Sequence, residues 1–368
     1  MKVTISRNDL LDAANKVKTI VSSKSALPIL SHVLLEAEGN TLKLSATDLK
    51  VSIECSVDCT VHKSGSMTMS AARMVSIVSE LPDADITFEL GDNNVISLEC
   101  GKIQTKLYSM SPDEFPPIRD FSGIEPIILP QNVLRDIFLK TSFAICTDQA
   151  RYNLTGLLLE MKEGKLISVA TDGRRMSLVT ESESAAEGLA FKVIIPGKLI
   201  HELERLLSSD EDVKVYIDEN QAAFAFDSMR LVTQLIEGNF PNYEMVVPKK
   251  HDKEVVVGTA AFTEGMRRTR TMTNDKFNSV KIIVDSGAMT LRVSTPEVGE
   301  YEEELPIEYS GEKVEIAFNP DFVLDVLRHI DTEKAIFLLK DAMSPGVIKP
   351  YNEAPSDTYV NVVMPIRL

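Results

Sequence analysis

The side chains in this chain that could carry covalent, acid–base or metal chemistry form a short inventory. They are the thiols of Cys55, Cys59, Cys100 and Cys146 and the imidazoles of His32, His62, His201, His251 and His329. Two aspartates in matching settings complete it, Asp48 after Ala46-Thr47 and Asp172 after Ala170-Thr171. A zinc site needs four ligands converging on one ion. Cys55 and Cys59 share the parity of Val51, Ile53, Val57 and Val61, which predicts one strand with both thiols on its apolar face. His62 falls on the other parity and no fourth ligand is near, so the thiols read as buried, reduced side chains and no metal or cofactor is expected. The histidines are scattered. Gly-x-Ser-x-Gly, the P-loop and His-Glu-x-x-His do not occur. A hydrolase built on Thr171-Asp172-Gly173 would need a buried carboxylate cluster with a neighbouring base, and the sequence offers neither. Asp48 and Asp172 are equivalent copies, which points to turn capping, because a catalytic acid need not appear twice.

That equivalence extends to the whole chain. Thr47, Thr171 and Thr295 each end an apolar run, and both gaps are 124 residues, dividing 368 residues into near-thirds. A first helix is predicted in each third. Ser6 is a suitable N-cap before Leu10, Ala14, Val17 and Val21 at helical spacing; Leu134 and Asp136 fall on Leu10 and Asp12; Phe262, Met266 and Arg267-Arg268-Thr269-Arg270 fill the slot less cleanly. Strands follow at 33–36, 157–160 and 281–284. In the strand before the threonine, Leu42 and Leu44 disagree by one residue with Ile167, Val169, Leu291 and Val293, which predicts a one-residue loop difference in the first copy. A second helix recurs around Met74 and Val78, around Leu199 and Leu203, and around Val323 and Val326, the last signalled by Asn319 as N-cap and Pro320 in the first turn. Alternating strands follow at 86–90, 213–217 and 335–339. The pattern predicts an α+β fold, with antiparallel sheet covered on one side by two helices in each of three domains, 1–122, 123–250 and 251–368.

Composition narrows the function. With 44% hydrophobic and 26% charged residues the chain reads as a soluble globular protein. Its start has no apolar signal-peptide core, and no run is long enough to cross a bilayer, so a cytoplasmic protein is expected. The formal net charge is −16, and taken whole such a protein repels nucleic acid. The first helices depart from that balance. Arg7, Lys16 and Lys18 outweigh Asp9 and Asp12; Arg135 and Lys140 outweigh Asp136; Arg267, Arg268, Arg270 and Lys276 outweigh Glu264 and Asp275. In the last second helix Asp321 and Asp325 act in the opposite sense.

Triplicate helix–sheet units, an internal Ala170-Thr171-Asp172-Gly173-x-Arg175 and a terminal Val363-Met364-Pro365-x-Arg367-Leu368 together resemble the β subunit family of bacterial DNA polymerase III, the replicative sliding clamps. The resemblance runs the full length, through Leu27-Pro28-Ile29-Leu30, Arg151-Tyr152-Asn153-Leu154, Asn239-Phe240-Pro241 and Asn274-Asp275-Lys276-Phe277. It implies a processivity factor without enzymatic activity. Two subunits would join head to tail into a ring around duplex DNA, with helices lining the hole and sheets outside. An encircling ring need not grip DNA tightly, so a negative bulk charge with locally basic inner helices is tolerable. The implied partners are a second copy, duplex DNA without sequence preference, the polymerase III α subunit, a clamp loader, and other replication and repair proteins.

The resemblance also implies sites. A groove for a short apolar partner peptide would be lined by Leu154, Thr171, Gly173, Met176, Pro241, Met245, Val246, Met343, Val362, Met364, Pro365 and Ile366, bordered by Arg174 and Arg175, with Arg367 and Leu368 at its rim. A Met-rich groove suits several partners because methionine repacks easily. Read without the resemblance, Arg174 and Arg175 are solvated turn residues and 362–366 an ordinary terminal strand. Lys24, Arg73, Arg135, Tyr152, Lys198, Arg205, Arg267, Arg268 and Arg270 are candidates to face DNA, and each cation is otherwise an ordinary surface charge. Ring closure would pair edge strands, with Thr105 and Leu107 opposite Thr271 and Met272. A peptide-binding scaffold with no nucleic-acid role, built from the same unit, is the alternative; a structure lacking a basic inner wall would favour it.

Overall fold

Stripes of apolar residues at helical spacing produce six α-helices among the described residues, which in this computed structural model are 1–21, 26–182, 188–352 and 358–367. They are α1 (Arg7–Lys18), α2 (Ala71–Glu80), α3 (Gln131–Thr141), α4 (Gly197–Leu206), α5 (Thr259–Thr271) and α6 (Pro320–Leu327). The first helix of each repeat buries one stripe: Leu10, Ala13, Ala14 and Val17 in α1; Leu134, Ile137, Phe138 and Thr141 in α3; Phe262, Gly265, Met266 and Thr269 in α5. Ser6 caps α1 by accepting from the Asp9 amide, and Asn319 caps α6 by accepting from the Asp321 amide at 2.9 Å. α3 starts 124 residues after α1. α5 starts four residues later than that spacing predicts, because the strand before it, Lys253–Gly258, starts later and runs longer than Ile127–Pro130, and the connection after α5 is shorter.

The strands keep the period closely. His32–Glu38, Thr41–Thr47 and Val51–Asp58 match Gly156–Lys162, Lys165–Thr171 and Arg175–Ser182 in both position and length. Between these two copies the expected one-residue loop difference is therefore not present, whereas in the third Leu291 and Val293 are buried, one residue out of step with Leu42 and Leu44. Leu166, and not Ile167, occupies the inward position of Leu42, and Ser168 that of Leu44. A serine is tolerated there because its hydroxyl lies 2.9 Å from that of Thr141 on α3, so the pattern breaks in residue type and not in register. The cysteine strand is also corrected. It ends at Asp58, and the next strand, Thr60–Lys63, pairs with Lys2–Ser6 in a different sheet. Cys55 is buried and Cys59 sits half-buried at the crossing, each without a disulfide; burial pushes both thiols up, which disfavours the thiolate.

The paired strands described here run antiparallel and form three sheets. A five-stranded sheet in the first repeat ends on the edge strand Ile103–Tyr108. An eight-stranded sheet crosses from the first repeat into the second where Val51–Asp58 pairs with Met229–Gln234. A twelve-stranded sheet crosses from the second into the third where Arg175–Ser182 pairs with Tyr359–Val363. The chain accordingly divides into two compact units, 1–132 with 205–235, and 133–204 with 236–368. In the first, α1 packs on α2 and on two strands of the eight-stranded sheet; in the second, α5 packs on α6.

The Thr-Asp turn explains the repeat that organises the sequence. Thr47 accepts from the Leu49 amide, and Asp48 from the amides of Lys50 and Val51; Thr171 accepts from Gly173, and Asp172 from Arg174 and Arg175. Both aspartates cap turns. The residue after the aspartate is left-handed in both copies, Leu49 at φ 77° and Gly173 at φ 82°, and Glu297 takes φ 67° in the third. A leucine there costs about 1–2 kcal/mol, offset in a Leu49→Gly variant by the greater freedom of unfolded glycine, about 0.5–1 kcal/mol. Leu49→Gly should therefore leave the urea midpoint unchanged or slightly raised. Gly173→Leu should lower stability by about 1–2 kcal/mol, since a Cβ would also meet Arg151 Nη1 at 3.1 Å.

Candidate functional site

The second compact unit carries an apolar groove of about 400 Å³ along the pairing of Arg175–Ser182 with Tyr359–Val363. The structure brings Leu154, Thr171, Gly173, Arg174, Arg175, Met176, Pro241, Met245, Val246, Val362 and Met364 to its walls, and adds Pro345, which the sequence reading missed. Of its lining, Leu154, Met176 and Val362 belong to a buried apolar cluster that continues beneath it with Val347 and Val360. Its lip is unusually bare for large apolar side chains, with Met245 80% exposed and Met364 42%. The other terminal residues go elsewhere. The Met364 amide donates to the Arg174 carbonyl, but the Ile366 amide donates to that of Ala317, which leads Pro365 and Ile366 onto the neighbouring strand Val314–Phe318. Met343 and Arg367 are exposed and do not line the groove; Leu368 lies outside the described residues.

The two arginines after the glycine turn have different fates. Arg174 is exposed, as a solvated turn residue should be. Arg175 is not solvated. Its side chain is 12% exposed, donates to Asp172 at 3.2 Å, to Asp325 on α6 at 2.5 Å and to the Phe143 carbonyl at 2.6 Å, and packs against the rings of Phe143 and Phe322. Its donors are thus engaged within the chain, so it shapes the groove wall and does not offer a free charge. Arg151 braces the other side of the turn by donating to the Asp172 carbonyl, and Tyr243 secures the 239–247 loop through its hydroxyl bond to Glu160 at 2.9 Å. Burial and the Glu160 carboxylate push the Tyr243 hydroxyl far up, so it remains a donor. The signal for Arg151 lay in Arg151-Tyr152-Asn153-Leu154, but its partner is a carbonyl, which no residue type announces.

The candidate DNA-facing residues are dispersed. Arg73 and Lys198 are exposed, Tyr152 is 47% exposed, Arg135 donates to the Glu204 carbonyl, and Arg205 donates to the Thr19 hydroxyl. On α5, Arg267 faces a polar cavity shared with Arg270, Thr271 and Arg328. Arg268 instead folds back onto Glu303 at 2.5 Å and onto Tyr301, and Arg270 pairs with Asp321. Lys24 lies outside the described residues. Thr105 and Leu107 do sit on an edge strand, beside exposed Ile103 and Tyr108. Thr271 and Met272 do not: Thr271 is the last residue of α5 and Met272 its C-cap, because the helical pattern continues through Thr269 and Arg270. Among the described residues no three His, Cys, Asp or Glu side chains gather as a metal site, and no helix is long and apolar enough to cross a membrane.

A triplicated antiparallel α+β unit, with helices on the sheets and an open groove at a seam between repeats, is the architecture of a clamp-type protein. Family models of the DNA polymerase III beta subunit match its N-terminal domain over residues 1–119, its central domain over 128–242 and its C-terminal domain over 244–367, and the chain belongs to that family. The beta sliding clamp of Chlamydia muridarum is 32% identical over 368 residues, covering 100% of this chain and 99% of that protein. The beta sliding clamp of Caulobacter vibrioides is 35% identical over 377 residues, covering 100% of each. Among solved structures, the sliding clamp of Pseudomonas aeruginosa bound to griselimycin matches with a TM-score of 0.94 at 33% identity, covering 100% of each chain. The family is the processivity subunit of the polymerase, with no catalytic activity of its own.

Arg175 and Arg174 make a matched pair for testing the turn. Removing Arg175 leaves Asp172 with the two turn amides and no counter-charge, and Asp325 with Arg328 alone. Arg175→Ala should cost about 3–5 kcal/mol, and Arg174→Ala less than about 0.5 kcal/mol, measured by urea unfolding.

Proposed function

We propose that two copies of this chain close head to tail into a ring around duplex DNA and that the groove tethers partner proteins to it by short apolar peptides. The three repeats would act as domains 1–122, 123–250 and 251–368 of a cytoplasmic replication protein. The observation that carries the reading is the open groove beside Met245, Val362 and Met364, apolar, adaptable and unfilled by the chain itself. Its lining residues would take the peptide. The polymerase III α subunit, a clamp loader and further replication and repair proteins are the partners this reading assigns to it.

Ring closure would use the exposed edge strand with Thr105 and Leu107, against the end of α5 with Thr271 and Met272. Lys24, Arg73, Arg135, Tyr152, Lys198, Arg205 and Arg267 would face the phosphates weakly and without base readout. Arg268 is already satisfied by Glu303, which makes it the poorest of the candidates.

Loading on a nicked circular plasmid with clamp loader and ATP tests encirclement. The protein should survive high salt on the circle and slide off once the plasmid is cut; removal from the intact circle by salt alone would sink the proposal, because a topological link does not depend on counterion release. Met364→Glu places a charge at the lip without disturbing the core. It should weaken α-subunit binding at least tenfold, read by titration, while the circular-plasmid dimer persists.

A further inference from the structure

The two seams between repeats are built alike. At the first, Val51 faces Thr233, Ser52 faces Val232 and Glu54 faces Arg230; at the second, Arg175 faces Val363, Met176 faces Val362 and Leu178 faces Val360. The turns entering them carry the same Thr and Asp hydrogen bonds. A buried phenylalanine followed by proline closes the repeat before each linker, Phe115-Pro116 and Phe240-Pro241. The second seam bears the open groove, and by construction the first should bear one too.

It is filled. Six residues after Phe115, Phe121 lies on Ala223 and Val232, the positions of Val347 and Val362 at the other seam, with Ile118, Ile124 and Tyr216 around it. Phe121 is 3% exposed, whereas Val246, six residues after Phe240, is 39% exposed. Charges fasten the linker on both sides of the ring. Arg119 pairs with Asp218 and lies 5.5 Å over the Phe121 ring, and Asp120 pairs with Arg230 at 3.2 Å, which is itself held by Glu54 at 2.5 Å. At the second seam the counterparts of Asp120, Arg230 and Glu54 are Met245, Val360 and Leu178, which are all apolar. The same groove is thus fastened shut at one seam by side chains that the other seam lacks.

We propose that the first seam is a second peptide groove occupied in cis by the linker, with Phe121 as its ligand and Arg230 as the receptor for the acidic residue before it. The ligand class is a short peptide presenting an acidic side chain followed by an aromatic one. The proposal takes from the preceding reading that the open groove binds peptides, but its test is independent of that groove. A fluorescent peptide of residues 117–125 is titrated against the full-length chain carrying Met364→Glu, which disables the open groove. With the native linker no saturable binding should appear. Adding Phe121→Ala should create one site per chain, and a peptide with alanine at the Phe121 position should bind at least tenfold more weakly.

Absence of binding to a cooperatively folding Phe121→Ala chain, or equal binding with and without Phe121, overturns the inference. If Phe121→Ala does not fold, Arg119→Ala combined with Asp120→Ala decides, since both side chains are exposed. Faster amide exchange at 119–124 together with peptide binding supports the plugged groove, and unchanged exchange and no binding refute it. Failure of the α subunit to bind the unaltered chain would count against the open groove alone.

Discussion

The antiparallel pairing of Arg175–Ser182 with Tyr359–Val363 is the contact on which the rest of the second unit depends. It joins strands far apart in sequence, so its register must be specified strongly, and two devices do so. Alternating side chains commit Met176, Leu178, Val360 and Val362 to one apolar cluster, and a one-residue slip would put the buried polar Ser177 and Asn361 in their place. Arg175 then ties the turn to α6 through Asp172, Asp325 and the Phe143 carbonyl. The guanidinium is mostly removed from water, and a charge so placed is tolerable only because its donors are met. The groove is a consequence: its floor is the paired strands, its wall the braced turn, and its lip the loop that Tyr243 holds in place.

Electrostatics on this chain is mostly local. A net charge of −16 coexists with first helices that carry a small positive excess, yet several of their cations are already spoken for. Lys16 pairs with Asp12, Lys140 with Asp136, Arg268 with Glu303 and Arg270 with Asp321. Exposed pairs of this sort contribute little to stability, about 0–1 kcal/mol each, but they lower the field a polyanion would meet.

Triplication followed by divergence accounts for the asymmetry between the seams. The backbone pairing is retained in both, because strand register and turn capping rest on a few threonines and aspartates that were copied intact. What differs is side-chain chemistry along the linker and the strands it covers. Asp120, Arg230 and Glu54 hold the first linker against its sheet, while Met245, Val360 and Leu178 leave the second with no such fastening. One copied surface has become internal structure, and the other remains available to partners.

Much of this was legible from the residues. The 124-residue period, the helix stripes, the caps at Ser6 and Asn319 and the turn-capping role of Asp48 and Asp172 are local matters, governed by spacing and by side chains within a few residues of the backbone they serve. The strand before the second threonine was misjudged by one residue because Ser168 occupies a buried position, and only the Thr141 hydroxyl on α3 makes that acceptable. Nor could spacing tell Arg174 from Arg175, which differ in whether Asp325 and Phe143 lie within reach. The sequence by itself determined the repeat, the element types and the family, since these follow from short-range pattern. Tertiary structure alone decided which strands join across repeats, where the terminal tail leaves the groove and which linker fills its seam, because those outcomes rest on contacts between residues far beyond the reach of local pattern.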